Sequence, residues 1–305
     1  MSVTLDHETP ASLPESAAAR RAQQRRSGGG RSREGRSMTG TIILVVVAIL
    51  WAFPLLALVL TAIKTPADFG AHGALSMPHS FTWSNFVQGW QVGQFGTAFM
   101  NSGLITLVKV PIGVVLASLL SYALAKLKLP LRRTITFTML MGLTIPIFIA
   151  IVPIFTMLRS VGLTDSLWGL LPPYLAFGLP FETLVLTSFF TGVPDEVMEA
   201  ARIDGAGEFT VFFRILLPLS LPALTTVAIL DAVATWNELV MALIILSSPE
   251  HRTVPLALLN FQGQFTTNFS GLSAGILIAL VPILIVYALL QKWIVSGLTA
   301  GAVKG

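Results

Sequence analysis

Residues 191–218 read TGVPDEVMEAARIDGAGEFTVFFRILLP. They carry five acidic side chains (Asp195, Glu196, Glu199, Asp204 and Glu208) against two basic ones, Arg202 and Arg214. Interleaved with them are Ala200, Ala201, Gly205, Ala206 and Gly207, which keep the surface low. Carboxylates on a low surface can make charge-assisted hydrogen bonds to a partner that comes close. A second set of polar residues lies in apolar surroundings: Lys109, Glu182, Asp231, Asn237 and Glu238. Such residues are costly in lipid and face the interior of a helix bundle. They offer two kinds of chemistry, hydrogen bonding along a polar path or pairing between helices. Glu182, Asp231, Asn237 and Glu238 are the path candidates, and for Lys109 and Asp231 interhelical pairing competes. Covalent catalysis has little to draw on. The chain has no cysteine, and its four histidines (His7, His72, His79 and His251) all fall outside the long apolar runs. There is also no GxxxxGK[ST] stretch to cradle a nucleotide phosphate.

The acidic stretch predicts two short helices joined by a tight turn. Pro194 suits a first helical position, where its missing N–H costs little. Asp195 and Glu196 complement the positive end of the helix dipole and Arg202 the negative end. Gly205 can adopt the left-handed conformation that stops a helix. A second helix is expected from about Glu208 to Leu217, ended by Pro218. An amphipathic loop lying on a bilayer is the competing picture, but such loops are rich in Lys and Arg. The acidic balance favours a knob that fits a groove in a partner.

These elements are embedded in a chain made for lipid. Of 305 residues 54% are hydrophobic and 11% charged, against about 25% charged in soluble domains. Long apolar stretches occur near 41–63, 98–125, 134–158, 167–190, 219–246 and 272–295. Each approaches or exceeds the ~20 residues that cross ~30 Å of hydrocarbon as a helix. The backbone finds no hydrogen-bond partner in lipid, and the runs lack the alternation of a barrel, so helices are expected. The fold class is therefore all-α integral membrane, with six transmembrane helices and the acidic loop between the fourth and fifth. Residues 1–38 read as a disordered basic tail with seven arginines. Residues 39–97 read as the first helix and an external loop, 98–296 as the core and 297–305 as a C-terminal tail. With the N-terminus inside, fifteen Lys and Arg fall on inner segments and three, Lys64, Arg159 and Arg252, on outer loops. That asymmetry predicts both termini and the acidic loop on the cytoplasmic side of the cell membrane. It also accounts for the net charge of +4 without a nucleic-acid partner.

Glu199-Ala200-Ala201, then Gly205, nine residues, then Ile215-Leu216-Leu217-Pro218 resembles the EAA signature of binding-protein-dependent ABC transporter permeases, and Asp204-Gly205-Ala206 matches its fuller form. Trp236-Asn237-Glu238, Phe261-Gln262-Gly263-Gln264 and the ending GLTAGAVKG resemble the carbohydrate branch, within it the six-helix maltose-type subunit. The likeness covers about residues 41–305. It implies a transport subunit rather than an enzyme. ATP and Mg²⁺ would be used by a separate ABC ATPase dimer, which docks the helix of Glu199, Ala200 and Ala201 in a groove, with Asp204, Gly205, Ala206, Ile215 and Pro218 completing the coupling element. It implies no cofactor in this chain. The implied partners are a second permease subunit, an extracytoplasmic solute-binding protein, a sugar or oligosaccharide substrate and the lipid bilayer. Lys304 and Gly305 would lie near partner subunits. A permease for another small solute would carry the same coupling signature. An ion-coupled secondary transporter would instead show inverted repeats and paired broken helices with midplane carboxylates.

Overall fold

A computed structural model of the chain describes residues 38–263 and 267–302. The expected disordered tail lies outside the described residues except for Met38, as do Gln264 and the last residues, Lys304 and Gly305. In chain order the helices are α1 (Met38–Ala62), α2 (Pro66–His72), α3 (Ser84–Val92), α4 (Phe95–Lys126), α5 (Arg132–Thr144) and α6 (Ile147–Ser160). After a 3₁₀ turn (Leu167–Leu170) come α7 (Leu171–Thr191), α8 (Asp195–Ile203), α9 (Glu208–Leu219), α10 (Leu221–Trp236) and α11 (Val240–Ile245). The short α12 (Val254–Ala257) precedes α13 (Phe269–Ala302). The chain divides after Pro54 into two compact units, the second of which holds everything from Leu55 onward. No strand occurs among the described residues.

Four helical stretches are long and apolar enough to cross a membrane alone: Gly40–Ala62, Phe95–Lys126, Leu167–Thr191 and Phe269–Leu289. Two more apolar lengths are bent pairs, α5 with α6 at 102° and α9 with α10 at 76°. The continuous span expected over 134–158 is thus broken, whereas the second bend falls at the start of the span expected over 219–246. The first break falls at Ile145–Pro146. Proline disfavours helical backbone in the residue before it, and Ile145 is extended at φ −75°, ψ 113°. The second falls at Ser220, two residues before Pro222. Beyond Trp236 the chain breaks again at Asn237–Leu239, leaving α11 as a separate short helix. Pro54, Pro111, Pro153, Pro180 and Pro282, by contrast, lie inside helices. The last helix runs on through Ala302, past the apolar stretch that ends near 295.

Helix α4 is the central strut, with α7 and α10 packed against it. At one end Ile105, Leu158, Leu170, Tyr174, Met241 and Ile245 form a buried cluster. At the end bearing α8, Ala117, Tyr122, Leu186, Phe190, Met198, Val211, Phe212 and Leu216 form another. A third gathers Phe95, Ala98, Val254, Ala257 and Phe261. Trp90 and Trp236 both pack in an aromatic stack through Phe99, with ring centroids 5.7 and 5.9 Å away.

Candidate functional site

The acidic stretch folds as two helices about a tight turn. Pro194 takes the position just before the first helix rather than its first residue: its ψ of 134° is not helical. Helix α8 ends in a Schellman motif. Gly205 has φ +84°, its N–H donates to the Arg202 carbonyl at 3.0 Å, and the Ala206 N–H donates to the Ala201 carbonyl at 2.9 Å. This satisfies carbonyls that a helix end otherwise leaves orphaned. Ala201 and Ala206 are the partly buried pair that closes the motif against the inner cluster. The signature residues therefore divide by role. Ala201, Gly205 and Ala206 shape the turn, whereas Glu199, Ala200 and Asp204 are exposed.

The period of α8 makes that division regular. Glu196, Glu199, Ala200 and Ile203, at i, i+3, i+4 and i+7, all face outward, as residues on one helical face must. Ile203 is 86% exposed, while Met198 on the opposite face is 1% exposed and packs into the inner cluster. Pro218 does not end the second helix. The chain widens into a π-turn over Phe212–Leu216 and continues helically to Leu219. Ile215 is partly buried and Pro218 exposed on this second helix.

Four residues tie the element to the strut, and their spacing in sequence gave no sign of it. Lys126, at the end of α4, donates to the Val193 carbonyl and to Asp195 Oδ1, both at 2.6 Å. The hydrogen bond and charge of Lys126 hold the Asp195 carboxyl below the usual carboxylate range. Glu208 spans the turn: it accepts from Arg202 Nε at 2.8 Å and Nη2 at 3.2 Å, and from the Tyr122 hydroxyl of α4. The start of α8 and the start of α9 are thus both fastened to α4.

The intramembrane candidates also separate. Lys109 of α4 is 1% exposed and pairs with Glu182 Oε1 of α7 at 3.0 Å and with Asp231 Oδ1 of α10. Glu182 and Asp231 each keep one buried carboxylate oxygen without a hydrogen-bond partner. Glycines make room for the triad. A Cβ at Gly178 would lie 2.5 Å from Lys109 Nζ, and one at Gly113 would lie 2.9 Å from Glu182 Oε2. Asn237 is exposed, and its Nδ2 donates back to the Val233 carbonyl at 2.9 Å. Glu238 accepts from the Tyr174 hydroxyl at 2.7 Å and from the Met241 and Ala242 N–H groups at 2.8 and 3.2 Å. It therefore caps α11, satisfying N–H donors that the helix start leaves free. Two crevices beside α10, of about 190 and 350 Å³, are lined almost wholly by apolar side chains such as Leu107, Trp236, Pro282, Leu224 and Val286.

Comparison with known proteins places this architecture. Residues 109–300 match the family described as "Binding-protein-dependent transport system inner membrane component". A probable ABC transporter permease protein of Bacillus subtilis, YurM, is 36% identical over 254 residues, covering 83% of this chain and 84% of the relative. The trehalose transport system permease protein SugB of Mycobacterium tuberculosis is 35% identical over 231 residues, covering 75% and 84%. A solved bacterial ABC transporter involved in import of the acidic polysaccharide alginate shares the fold, with a TM-score of 0.72 over 86% of this chain and 98% of that one, at 22% identity. A second structure, of an alginate transporter in complex with an alginate pentasaccharide-bound periplasmic protein, gives 0.61 over 87% and 99% at 17% identity. The chain belongs to the binding-protein-dependent transport system inner membrane components, the permease subunits of ABC transporters, and is a multi-pass protein of the inner membrane.

Proposed function

We propose that this permease carries a sugar or oligosaccharide inward, as one of two different permease subunits that enclose the path together. On this reading each bent pair is one span, six in all, so both termini lie on the same side, and the excess of Lys and Arg on the inner segments supports the cytoplasm for them and for α8. A separate ABC ATPase dimer supplies the energy, using ATP and Mg²⁺, and one of its subunits receives α8 in a groove. A solute-binding protein delivers cargo on the other side; the alginate transporter solved in complex with an alginate pentasaccharide-bound periplasmic protein supports a partner of this kind. The sugar class is supported by the relatives' own names, trehalose transport among them.

The observation that carries the reading is the two-sidedness of α8. Its Met198 face is locked into the inner cluster, while Glu199, Ala200 and Ile203 stand free. An exposed isoleucine beside a carboxylate, on a helix whose other face is fully used, fits a partner's groove. Closure of the ATPase dimer moves α8 as a rigid piece. Lys126 and Glu208 pass that displacement to α4, and the Lys109 triad couples α4 to α7 and α10. This is a coupling free energy carried by packed elements with two arrangements. Asn237 and Glu238 stand where the path would be gated, with Glu182 and Asp231 holding the helices that line it. The apolar crevices of this subunit offer few partners to hydroxyl groups, in keeping with a path shared with the second subunit.

The test is affinity purification of the chain from native membranes, followed by reconstitution in vesicles. An ABC ATPase and a second permease should co-purify, and sugar uptake should require ATP and the binding protein. Uptake without any ATP-hydrolysing subunit would overturn the proposal.

A further inference from the structure

The loop between α1 and α3 holds a cluster that the transport function does not use. Asp68 lies on α2 with its side chain 4% exposed, and its Oδ2 accepts the His79 and Ser80 N–H groups at 2.9 and 3.2 Å. That fixes the carboxylate and leaves Oδ1 turned toward two imidazoles. His72 Nδ1 is 2.8 Å from Oδ1 and His79 Nδ1 is 3.5 Å from it. The two rings stack with centroids 4.1 Å apart. Ligand atoms of all three side chains lie within 4.8 Å of one another.

We propose that Asp68, His72 and His79 form a binding site for a borderline divalent cation, with Zn²⁺ the best fit. Zn–N bonds of about 2.0–2.1 Å and Zn–O bonds of about 2.0–2.2 Å set a ligand-to-ligand edge of roughly 3.3 Å in a tetrahedron. The two observed separations from Oδ1 bracket that edge; the stacked rings must turn out of their near-parallel arrangement for both Nδ1 lone pairs to meet one ion, a turn that the exposure of both side chains allows. Two imidazoles and one carboxylate are a donor set that suits this ion. The surroundings are already built. The Lys64 ammonium, buried with its residue, braces the turn between the histidines by donating to the Gly73 carbonyl at 2.7 Å and to Ser76 Oγ at 2.8 Å. The Thr65 hydroxyl accepts the Asp68 N–H at 3.2 Å and pairs with Ser80 Oγ. Asp68 is therefore preorganised by groups outside the ligand set, as ligating carboxylates commonly are. Both histidine side chains are partly open to solvent, at 44% and 64%, so the ion has an approach and a fourth position for water. On binding, each Nδ1 gives up any proton it holds and the neutral ring carries its hydrogen on Nε2, so affinity falls as pH drops. The bound ion would fasten residue 79 to the end of α2.

Full-length chain, purified with a tag free of histidine and metal ligands, is titrated with Zn²⁺ by calorimetry. The expected result is one ion per chain. His79→Ala removes a ligand and should weaken it by more than the roughly 10–100-fold that loss of an outer-shell partner costs, and His72→Ala/His79→Ala should abolish it. His251→Ala, at a separate loop, should leave it unchanged. Size-exclusion profiles show whether each variant is folded; His79, being exposed, is the safer substitution. No saturable binding by the wild-type chain, equal binding by the folded His79→Ala variant, or equal loss in His251→Ala would each overturn the site.

Discussion

Replacing Lys109 by methionine tests whether the buried triad holds the bundle together. The change keeps the length of the side chain and removes its charge. Lys109 Nζ and Glu182 Oε1 are 3.0 Å apart, a separation at which a pair gains roughly 5–6 kcal/mol at an effective dielectric of ~20. Burial of the ions offsets much of that. What matters for the single variant is that Glu182 and Asp231 stay behind, both buried and now without a cation. Removing one partner of a buried pair costs about 3–5 kcal/mol. At about 2–4 °C per kcal/mol for a domain of this order of size, the thermal midpoint in detergent should fall by roughly 6–20 °C. The triple variant Lys109→Met/Glu182→Gln/Asp231→Asn has no uncompensated charge and should recover most of the loss, since coupled sites are not additive. Thermal unfolding followed by fluorescence-detected size exclusion reads all three proteins. A single variant as stable as wild type, or a triple variant as unstable as the single one, would show that the triad does not join α4, α7 and α10.

Glu199→Lys reverses the charge on the free face of α8 and should reduce ATPase association and transport-coupled hydrolysis at least tenfold while leaving membrane insertion normal; normal coupling in vesicles would remove Glu199 from the docking face. Gly205→Val forces a β-branched residue to φ +84°, a conformation L-residues avoid by about 1–2 kcal/mol or more, and should impair assembly. Gly207→Ala, at φ −74° with open space around it, should not, and equal yields of assembled complex would refute the turn argument. The Asp165 carboxyl is held well below the usual carboxylate range by the Ser248 hydroxyl and the Ser248 and Ser247 N–H groups. A lowered folded-state pKa contributes stability that is full above the unfolded value of about 3.9 and is lost as pH falls toward the folded value. The stability difference between wild type and Asp165→Asn should therefore be constant at neutral pH and shrink below about pH 4; a difference that grew on acidification would contradict the assignment.

Much of this protein was legible in its residues because lipid leaves few choices. Apolar length gave the helical class, and Asp204-Gly205-Ala206 gave the turn because glycine, lacking a Cβ, takes the left-handed conformation that ends a helix at little cost. Two breaks were not legible as such. Nothing in the residue types marks Asn237–Leu239 as a break, and Pro146 was visible, but proline also sits inside α4 and α13, at Pro111 and Pro282, without dividing them. Hydropathy averages over a bend. The anchoring of α8 was hidden for a different reason. Lys126 and Asp195 are 69 residues apart and Tyr122 and Glu208 are 86 apart, so no local pattern links them. Lys109, Glu182 and Asp231 could be singled out as polar residues in apolar runs, yet their mutual pairing needed three helices in place. Glu238 could be singled out as a polar residue in an apolar run, yet its capping of α11 needed the fold to be seen.

The chain has no cysteine, so a single introduced thiol reports one position without background. Ile203→Cys puts that thiol on the free face of α8. Labelling by a membrane-impermeant maleimide should occur in inside-out vesicles stripped of peripheral ATPase, fail in right-side-out vesicles, and be blocked when the ATPase is added back. Labelling from the outer side, or labelling undiminished by bound ATPase, would contradict the docking of α8 on a cytoplasmic motor.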